Sequence, residues 1–237
     1  MPKRKGLLGG TFDPIHIGHL RVAEEALEAL SLDSFVFIPA ASPPHKPDRR
    51  IESFEDRWRM LELAVGDHPH FELSDIERRL PGKSYTVVTL RELREHYPPG
   101  TELFFLVGLD AFWELNTWYR FKELFGLASI VVVRRPGYPP DDLIRFLRRA
   151  VSPLFSRDAG EDVFRHPSLH PVYCLRNTVL EISSTRIREL IAEGRSIRYL
   201  VPHEIMRYIT RNNLYRIETA SKPDDERERK THAERGA

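Results

Sequence analysis

The chain has 237 residues, enough for one α/β domain with a helical appendage, and its single cysteine excludes an internal disulfide. Its 36 lysines and arginines balance 35 aspartates and glutamates, and this formal charge of +1 argues against nucleic acid or an anionic membrane as a partner. No apolar run is long enough to cross a membrane and no apolar segment follows the basic N-terminus, so we expect a cytoplasmic protein.

The first predicted elements are a short strand at residues 6–8 and a helix whose apolar residues recur at helical spacing over residues 20–27. The junction between them comprises Gly9, Gly10, Thr11, Phe12, Asp13, Pro14, Ile15, His16, Ile17, Gly18 and His19. Glycines at a strand end let backbone N–H groups approach an anion, and the first helical turn adds unpaired N–H groups. His16 and His19 are three residues apart, so both rings can donate to phosphate oxygens on one side. The junction therefore predicts a phosphate site.

Three other interpretations of these motifs are weaker. The histidines could be a zinc pair, but no cysteine or further His, Asp or Glu cluster has the spacing to complete a ligand set, so we predict no resident metal. Residues 80–84 resemble the end of a P-loop, but Glu77 stands where that motif needs glycine. Neither a complete Walker motif nor Gly-x-Gly-x-x-Gly is present, which disfavours a P-loop ATPase and a dehydrogenase.

A second buried strand is predicted at residues 35–39, and it leads into a proline-rich basic loop. His45 and Lys46 in this loop present cationic donors on a backbone that prolines stiffen, which suits a phosphate group; a surface loop with incidental charge is the alternative. Ser53 is predicted to cap a helix over Phe54–Val65. We interpret the arginines of its Arg57-Trp58-Arg59 sequence as part of a solvated face, with the aromatic packed inward.

The next predicted elements are a strand at residues 71–74 and a helix that opens at Ser84-Tyr85-Thr86 and runs through Arg94. The clearest buried strand is Glu102–Gly108, and Asp110 follows at its carboxyl end. If this strand pairs beside the first one, their carboxyl ends form a ligand crevice at the switch point of the sheet. Asp110 could accept hydrogen bonds there from ribose hydroxyls or an amine, cap the next helix, or do both.

Ser129–Val133 is a further predicted strand, closed by basic residues that begin with Arg134. Residues 139–171 contain a predicted helix at 142–150 but no chemical motif. The last strand is predicted at residues 178–182.

Ser183, Ser184 and Thr185 form an N-cap cluster that predicts a helix through Glu193. Arg188 lies four residues after Ser184, on the same side of that helix, so the two predict a second anion site. A final helix is predicted at residues 202–211. We expect one domain over residues 1–217 and a disordered tail over 218–237, where 11 of 20 residues are charged.

The motif Gly-Gly-Thr-Phe-Asp-Pro-x-His-x-Gly-His resembles the signature of the (T/H)xGH nucleotidyltransferase superfamily, and specifically of the bacterial nicotinate-nucleotide adenylyltransferases. The resemblance spans about residues 5–216 and includes Pro-Pro-His-Lys at 43–46, Ser-Tyr-Thr at 84–86 and Ile-Ser-Ser-Thr-x-x-Arg at 182–188. Class I aminoacyl-tRNA synthetases also carry His-Ile-Gly-His, but they are much longer and have a Lys-Met-Ser-Lys-Ser type loop that this sequence lacks.

The resemblance implies a Rossmann-like, doubly wound parallel sheet with C-terminal helices. Residues 139–171 are longer than the corresponding part of this family's core, so we interpret them as an insertion. It implies that ATP and nicotinate mononucleotide are joined to give nicotinate adenine dinucleotide (deamido-NAD) and pyrophosphate, with Mg²⁺ delivered on ATP. The partners are then small-molecule substrates, and the oligomeric state, monomer or small homo-oligomer, stays open.

The resemblance also assigns roles. The implied catalytic residues are His16, His19 and Arg188. The implied ATP-binding residues are Gly9, Gly10, Thr11, Phe12, His16, His19, Gly108, Asp110, Ser183, Ser184, Thr185 and Arg188. The implied mononucleotide-binding residues are His45, Lys46, Ser84, Tyr85, Thr86, Trp118, Tyr119 and Arg134, with Trp118 stacking on the pyridine ring.

Nicotinamide-mononucleotide and pantetheine-phosphate adenylyltransferases share the same core and are the alternative enzymes. A non-catalytic nucleotide-binding regulator is an alternative of another class, against which His16, His19 and Arg188 argue. A nucleic-acid module is disfavoured by the flat net charge.

Overall fold

The computed structural model describes residues 3–43, 51–133, 140–158 and 162–216. The strands in these residues are β1 (Arg4–Gly10), β2 (Ser34–Pro39), β3 (Phe71–Leu73), β4 (Glu102–Gly108), β5 (Ser129–Val133), β6 (Ser156–Arg157), β7 (Val163–Arg165) and β8 (Val172–Leu175). The α-helices are α1 (Ile17–Ala29), α2 (Phe54–Val65), α3 (Ile76–Arg79), α4 (Thr86–His96), α5 (Leu109–Trp113), α6 (Leu124–Leu127), α7 (Pro140–Ala150), α8 (Ser184–Ala192) and α9 (His203–Arg211). Across the described ranges, every helix is too short or too polar to traverse a lipid bilayer.

All of these strands belong to one sheet, in the order β3-β2-β1-β4-β5-β8-β7-β6. The six strands from β3 to β8 in that order are parallel, whereas β7 and β6 are added antiparallel at one edge. The chain proceeds outward from β1 to β3 and then returns to the other side of β1 with β4. This reversal confirms the doubly wound fold and the predicted pairing of the first strand with Glu102–Gly108.

The side chains of β4 show why the sheet has two covered faces. Phe105 and Val107 face the core that α4, α5, α6 and α7 cover, while Phe104 and Leu106 face the core of α1, α2, α8 and α9. A strand buried on both faces reads as a continuous apolar run, so this strand and Ser129–Val133 are predicted with their observed bounds. The helix Phe54–Val65 also has its predicted bounds, and Ser53 accepts a hydrogen bond from the backbone N of Asp56.

The predicted last strand at residues 178–182 is wrong. The last strand is Val172–Leu175, which pairs with β5, and residues 176–183 form neither helix nor strand. Val179 and Leu180 are 42% and 38% exposed, so the apolar residues of this segment do not enter the sheet. Composition could not separate the two runs, because the position beside β5 is decided by tertiary pairing.

The segment interpreted as an insertion is built into the fold. Its helix α7 begins at Pro140 and buries Leu143 and Leu147 in the core. Strands β6 and β7 form an antiparallel hairpin that lengthens the sheet beyond β8. The segment therefore extends the edge of the sheet farthest from β3.

We predict that Gly6→Ala lowers the free energy of unfolding by about 1–3 kcal/mol, because the centre of β1 has no room for a methyl group. A Cβ at Gly6 would lie 2.4 Å from Cδ2 of Phe35 and 2.8 Å from Cδ1 of Leu32. Urea unfolding would measure the loss. Gly126→Ala is the control, since a Cβ there meets no atom within 4 Å; an equal loss in both variants would contradict the steric explanation.

Candidate active site

A cavity of about 560 Å³ opens at the carboxyl edge of the sheet, between the start of α1, the end of β4 and residues 177–183. It lies at the switch point between β1 and β4, where ligands bind in open α/β sheets. Five of the residues that the sequence singled out line it: His16, His19, Gly108, Asp110 and Ser183.

His16 and His19 lie together at the N-terminus of α1. His16 is the N-cap residue of the helix, and the two rings stack with their centroids 3.7 Å apart. Gly18 leaves room for the His16 ring in this position, because a Cβ there would lie 3.0 Å from Nδ1 of His16, closer than an ordinary contact. The glycine of the His-x-Gly-His motif thus gives the stacked rings room.

The protonation state of the pair follows from its surroundings. The backbone N of His16 donates to Nδ1 of His19 at 3.3 Å, so the neutral ring of His19 carries its proton on Nε2. Burial, and secondly the neighbouring ring of His16, hold the pKa of His19 well below its ordinary 6.5. Burial also lowers the pKa of His16 to about 4. Both rings are therefore neutral near pH 7, and each offers one N–H donor.

The turn before the helix is held by buried polar contacts. Phe12 has a left-handed φ of 48° and its ring is buried between His19 and Phe37. Asp13 is also buried, and its Oδ1 accepts from the hydroxyl of Tyr215 at 2.9 Å and from the backbone N of Glu52 at 3.3 Å. Burial, then the Asp13 carboxylate, raise the pKa of Tyr215, so the phenol stays protonated and donates.

Arg57 corrects the interpretation of the Arg57-Trp58-Arg59 sequence. It is 2% exposed, and its guanidinium donates to the carbonyls of Thr11 (2.8 Å), Ala40 (2.9 Å) and Glu52 (3.1 Å). Arg59, by contrast, has the expected exposed side chain and pairs with Glu62. Helical spacing could have indicated that Arg57 is buried, because residue 57 shares a helix face with the buried residues 60 and 61.

The start of α8 packs against the same turn. Ser183 caps the helix by accepting from the backbone N of Arg186, and the Ser184 hydroxyl donates to the Pro14 carbonyl at 2.9 Å. Arg188 donates to the Asp13 carbonyl and to Oγ1 of Thr185 at 3.1 Å. The predicted second anion site therefore adjoins the first one.

The start of α4 is joined to the residues after β2. Oγ of Ser84 accepts from the backbone N of Ala41 at 3.1 Å and of Ser42 at 3.0 Å, so this hydroxyl orders the loop. The Glu77 carboxyl is buried behind it, which raises its pKa, and Oε1 accepts from Thr89 at 2.8 Å.

The aromatic residues predicted for the mononucleotide do not line the 560 Å³ cavity. The rings of Tyr85 and Tyr119 are 4.8 Å apart, and Thr86 is the first residue of α4. Tyr119 is exposed, whereas Trp118 is partly buried and packs against the core. Tyr85 and Tyr119 are thus brought together.

The other predicted site residues fall into two groups. Gly9 and Gly10 end β1 and Thr11 follows them, with the Gly10 carbonyl accepting from the backbone N of Ala40 at 2.8 Å. His45, Lys46 and Arg134 lie outside the described residues. Within the part of the chain that the structure describes, no three His, Cys, Asp or Glu side chains form a group that could hold a metal ion.

Comparison with known proteins agrees with this geometry. The cytidylyltransferase-like family model matches residues 7–190, so the fold and the crevice define a nucleotidyltransferase. The chain is 47% identical over 216 residues to a probable nicotinate-nucleotide adenylyltransferase of Syntrophotalea carbinolica, covering 91% of this chain and 99% of the relative. It is 48% identical to the protein of that name from Geobacter metallireducens over 90% and 98% of the two chains. The chain belongs to the nicotinate-nucleotide adenylyltransferase family.

The fold is also found among solved structures. Plasmodium falciparum nicotinic acid mononucleotide adenylyltransferase, complexed with NaAD, superposes with a TM-score of 0.69 at 18% identity, covering 90% of this chain and 97% of that one. The resemblance noted in the sequence is confirmed, as is the predicted enzyme class, a nucleotidyltransferase of NAD biosynthesis.

We predict that Arg57→Met lowers the free energy of unfolding by roughly 3 kcal/mol, because it leaves three partly buried carbonyls without the donor that Arg57 provides. Arg59→Met on the same helix removes only an exposed ion pair and should cost less than about 1 kcal/mol. Urea unfolding of the two variants measures the difference. Equal losses would show that the carbonyl contacts of Arg57 are not stabilising.

The histidine pair predicts a loss of stability in mild acid. Unfolded His16 binds a proton near pH 6.5, whereas the folded residue resists protonation down to about pH 4, so stability falls as pH drops through this window. For His16 alone the loss is roughly 2 kcal/mol between about pH 7 and about pH 5. His16→Gln should make the fall shallower, and His203→Gln, at an exposed position, should leave it unchanged. Parallel curves for all three proteins would contradict the burial argument.

Proposed function

We propose that the protein transfers the adenylyl group of ATP to nicotinate mononucleotide, which gives nicotinate adenine dinucleotide and pyrophosphate in a biosynthetic step towards NAD. The observation that carries the proposal is the stacked, neutral pair of His16 and His19, which lines a crevice at the switch point of the sheet. Membership of the nicotinate-nucleotide adenylyltransferase family supports the choice of substrates.

The reaction needs no nucleophile from the protein. An oxygen of the mononucleotide's 5′-phosphate is already anionic and attacks the α-phosphorus of ATP in line. The bond from that phosphorus to the oxygen bridging to the β-phosphate breaks, and pyrophosphate leaves with the electron pair. The protein then contributes positioning and charge stabilisation.

We assign to His19 the stabilisation of the charge that develops on the α-phosphate. Its Nδ1 is occupied by the backbone N of His16, so Nε2–H is the donor left for a phosphate oxygen. His16 supports the ring by stacking and offers a second donor. We assign both residues to catalysis, together with Arg188, whose permanent charge lies at the neighbouring start of α8.

We assign the β- and γ-phosphates to the residues that follow β1 and to the N-terminus of α8. The helix N-terminus of α8 supplies backbone donors, and the residues assigned to the β- and γ-phosphates are Thr11, Ser184, Thr185 and Arg188. The backbone of Gly9, Gly10 and Phe12 shapes the turn beneath them. Gly108, Asp110 and Ser183 line the crevice on the side assigned to the nucleoside.

The mononucleotide is assigned to the start of α4 and its surroundings. Tyr85, Thr86, Trp118 and Tyr119 would hold the pyridine ring and its carboxylate, and Ser84 orders the adjacent loop. His45, Lys46 and Arg134 would meet the phosphate of this substrate. A flat aromatic face suits a cationic pyridinium.

Mg²⁺ is the divalent ion we expect to accompany ATP. Because the described residues offer no cluster of three ligands, such an ion would keep mainly phosphate and water oxygens. When bound, it would neutralise charge on the β- and γ-phosphates.

We predict pyrophosphate release with ATP, Mg²⁺ and nicotinate mononucleotide, and much slower release with nicotinamide mononucleotide or phosphopantetheine. Measuring the three acceptors in parallel tests the proposal. Preference for either other acceptor would replace the substrate proposed here. ATP binding without release by folded protein would favour a nucleotide-binding regulator.

We predict that His19→Ala lowers kcat by about 10²- to 10³-fold while the protein stays folded, because a preorganised donor to the transition state is lost. His203→Ala, which changes an exposed histidine on α9, is the matched control. Near-normal turnover of the His19 variant would remove this residue from the mechanism.

A further inference from the structure

Residues 177–183 form one wall of the crevice although they adopt neither helix nor strand. The exposure of Val179 and Leu180 shows that apolar burial does not hold the middle of this wall. Within the wall, the backbone N of Ile182 donates to the Leu180 carbonyl at 2.8 Å, and Nδ2 of Asn177 donates to the Thr178 carbonyl at 3.1 Å. These local contacts shape the wall without attaching it to the sheet.

At one end of the wall Ile182 packs against the core and Ser183 caps α8, and Thr178 attaches the other end. Its backbone N donates to Oε2 of Glu25 at 2.9 Å, and its hydroxyl donates to Oε1 at 2.5 Å. Among the described residues, these are the hydrogen bonds that join 177–182 to the rest of the chain. Both end on one carboxylate, 153 residues away in sequence.

Glu25 lies on the face of α1 that borders the crevice. Gly18 and Val22 line the cavity, and Glu25 follows Val22 by three residues, so all share one side of the helix. The Glu25 side chain is 11% exposed and also accepts from Nε of Arg21 at 2.9 Å. Burial raises the pKa of Glu25, but hydrogen bonds from Thr178 and Arg21 outweigh this and the net shift is downward. The ionised carboxylate is therefore the form that holds the wall.

We propose that Glu25 is a positioning residue for the nucleotide. By holding Thr178, it sets the distance between the 177–183 wall and α1, and with it the width of the part of the crevice that receives ATP. The proposal rests on the function proposed above, which assigns this crevice to ATP. Ser84 and Tyr85, which we assign to the other substrate, belong to α4 and its entry and have no part in this contact.

The test separates the two substrates. Glu25→Ala removes both bonds and should raise KM for ATP about tenfold, and Thr178→Val removes the hydroxyl bond and should raise it about threefold. KM for nicotinate mononucleotide should stay within about twofold in both variants. Calorimetric titration with ATP alone should show matching losses of affinity. Glu25→Gln, which keeps an acceptor oxygen, should restore much of the affinity.

Two controls on α1 isolate the contact. Arg21→Ala removes the ion pair but leaves both Thr178 bonds, and Glu28→Ala alters an exposed carboxylate; neither should change KM for ATP. An unchanged KM for ATP in Glu25→Ala, or equal rises for both substrates, would overturn the proposal. If Glu25→Ala does not fold, the near-isosteric Thr178→Val decides. Absence of pyrophosphate release by the unaltered protein would instead count against the proposed function, and ATP titration would still test the role of Glu25.

Discussion

The carboxyl edge of the sheet depends on the hydrogen bonds that the buried guanidinium of Arg57 donates. The chain leaves β1 and β2 at this edge, and the carbonyls of Thr11, Ala40 and Glu52 all converge on it. Each would cost about 1–3 kcal/mol if it were buried without a donor. Arginine suits the position because its donors sit on three nitrogens of a planar fork, so they reach carbonyls that the three N–H groups on the single nitrogen of lysine could not reach together. One side chain thereby fixes three separate segments relative to one another.

The turn that carries the histidine motif is consequently held by residues that are distant in sequence. The carboxylate of Asp13, inside the motif, accepts a hydrogen bond from Tyr215, 202 residues along the chain, and the backbone carbonyl of Asp13 accepts one from Arg188 on α8. These contacts fix the turn before any substrate arrives, which is the condition for donors to stabilise a transition state without reorganising. On the proposed function, neutral histidines donate at the α-phosphate while Arg188 supplies the permanent positive charge.

The sequence predicted the elements that local patterns determine. Glu102–Gly108 is a continuous apolar run, and Phe54–Val65 has a capping serine, so both were assigned with their observed bounds. It failed where long-range contacts decide, as at residues 178–182, whose apolar composition resembles that of Val172–Leu175. Of the candidate site, the motifs located the histidine pair and the start of α8. The role of Arg57 was hidden because a charged residue on a helix is usually solvated, and only its partners show otherwise.

The edge strands of the sheet limit how another chain can pair with it. An open sheet presents unpaired backbone groups along its outer strands, where another extended chain can add itself. Here the outer strands are β3, with three residues, and β6, with two. Each carries a charged side chain in an ion pair, Glu72 with Lys5 and Arg157 with Asp141. Such short, charged margins give an incoming strand few groups to pair with, so the hairpin added beyond β8 lengthens the sheet while leaving it a poor template for aggregation.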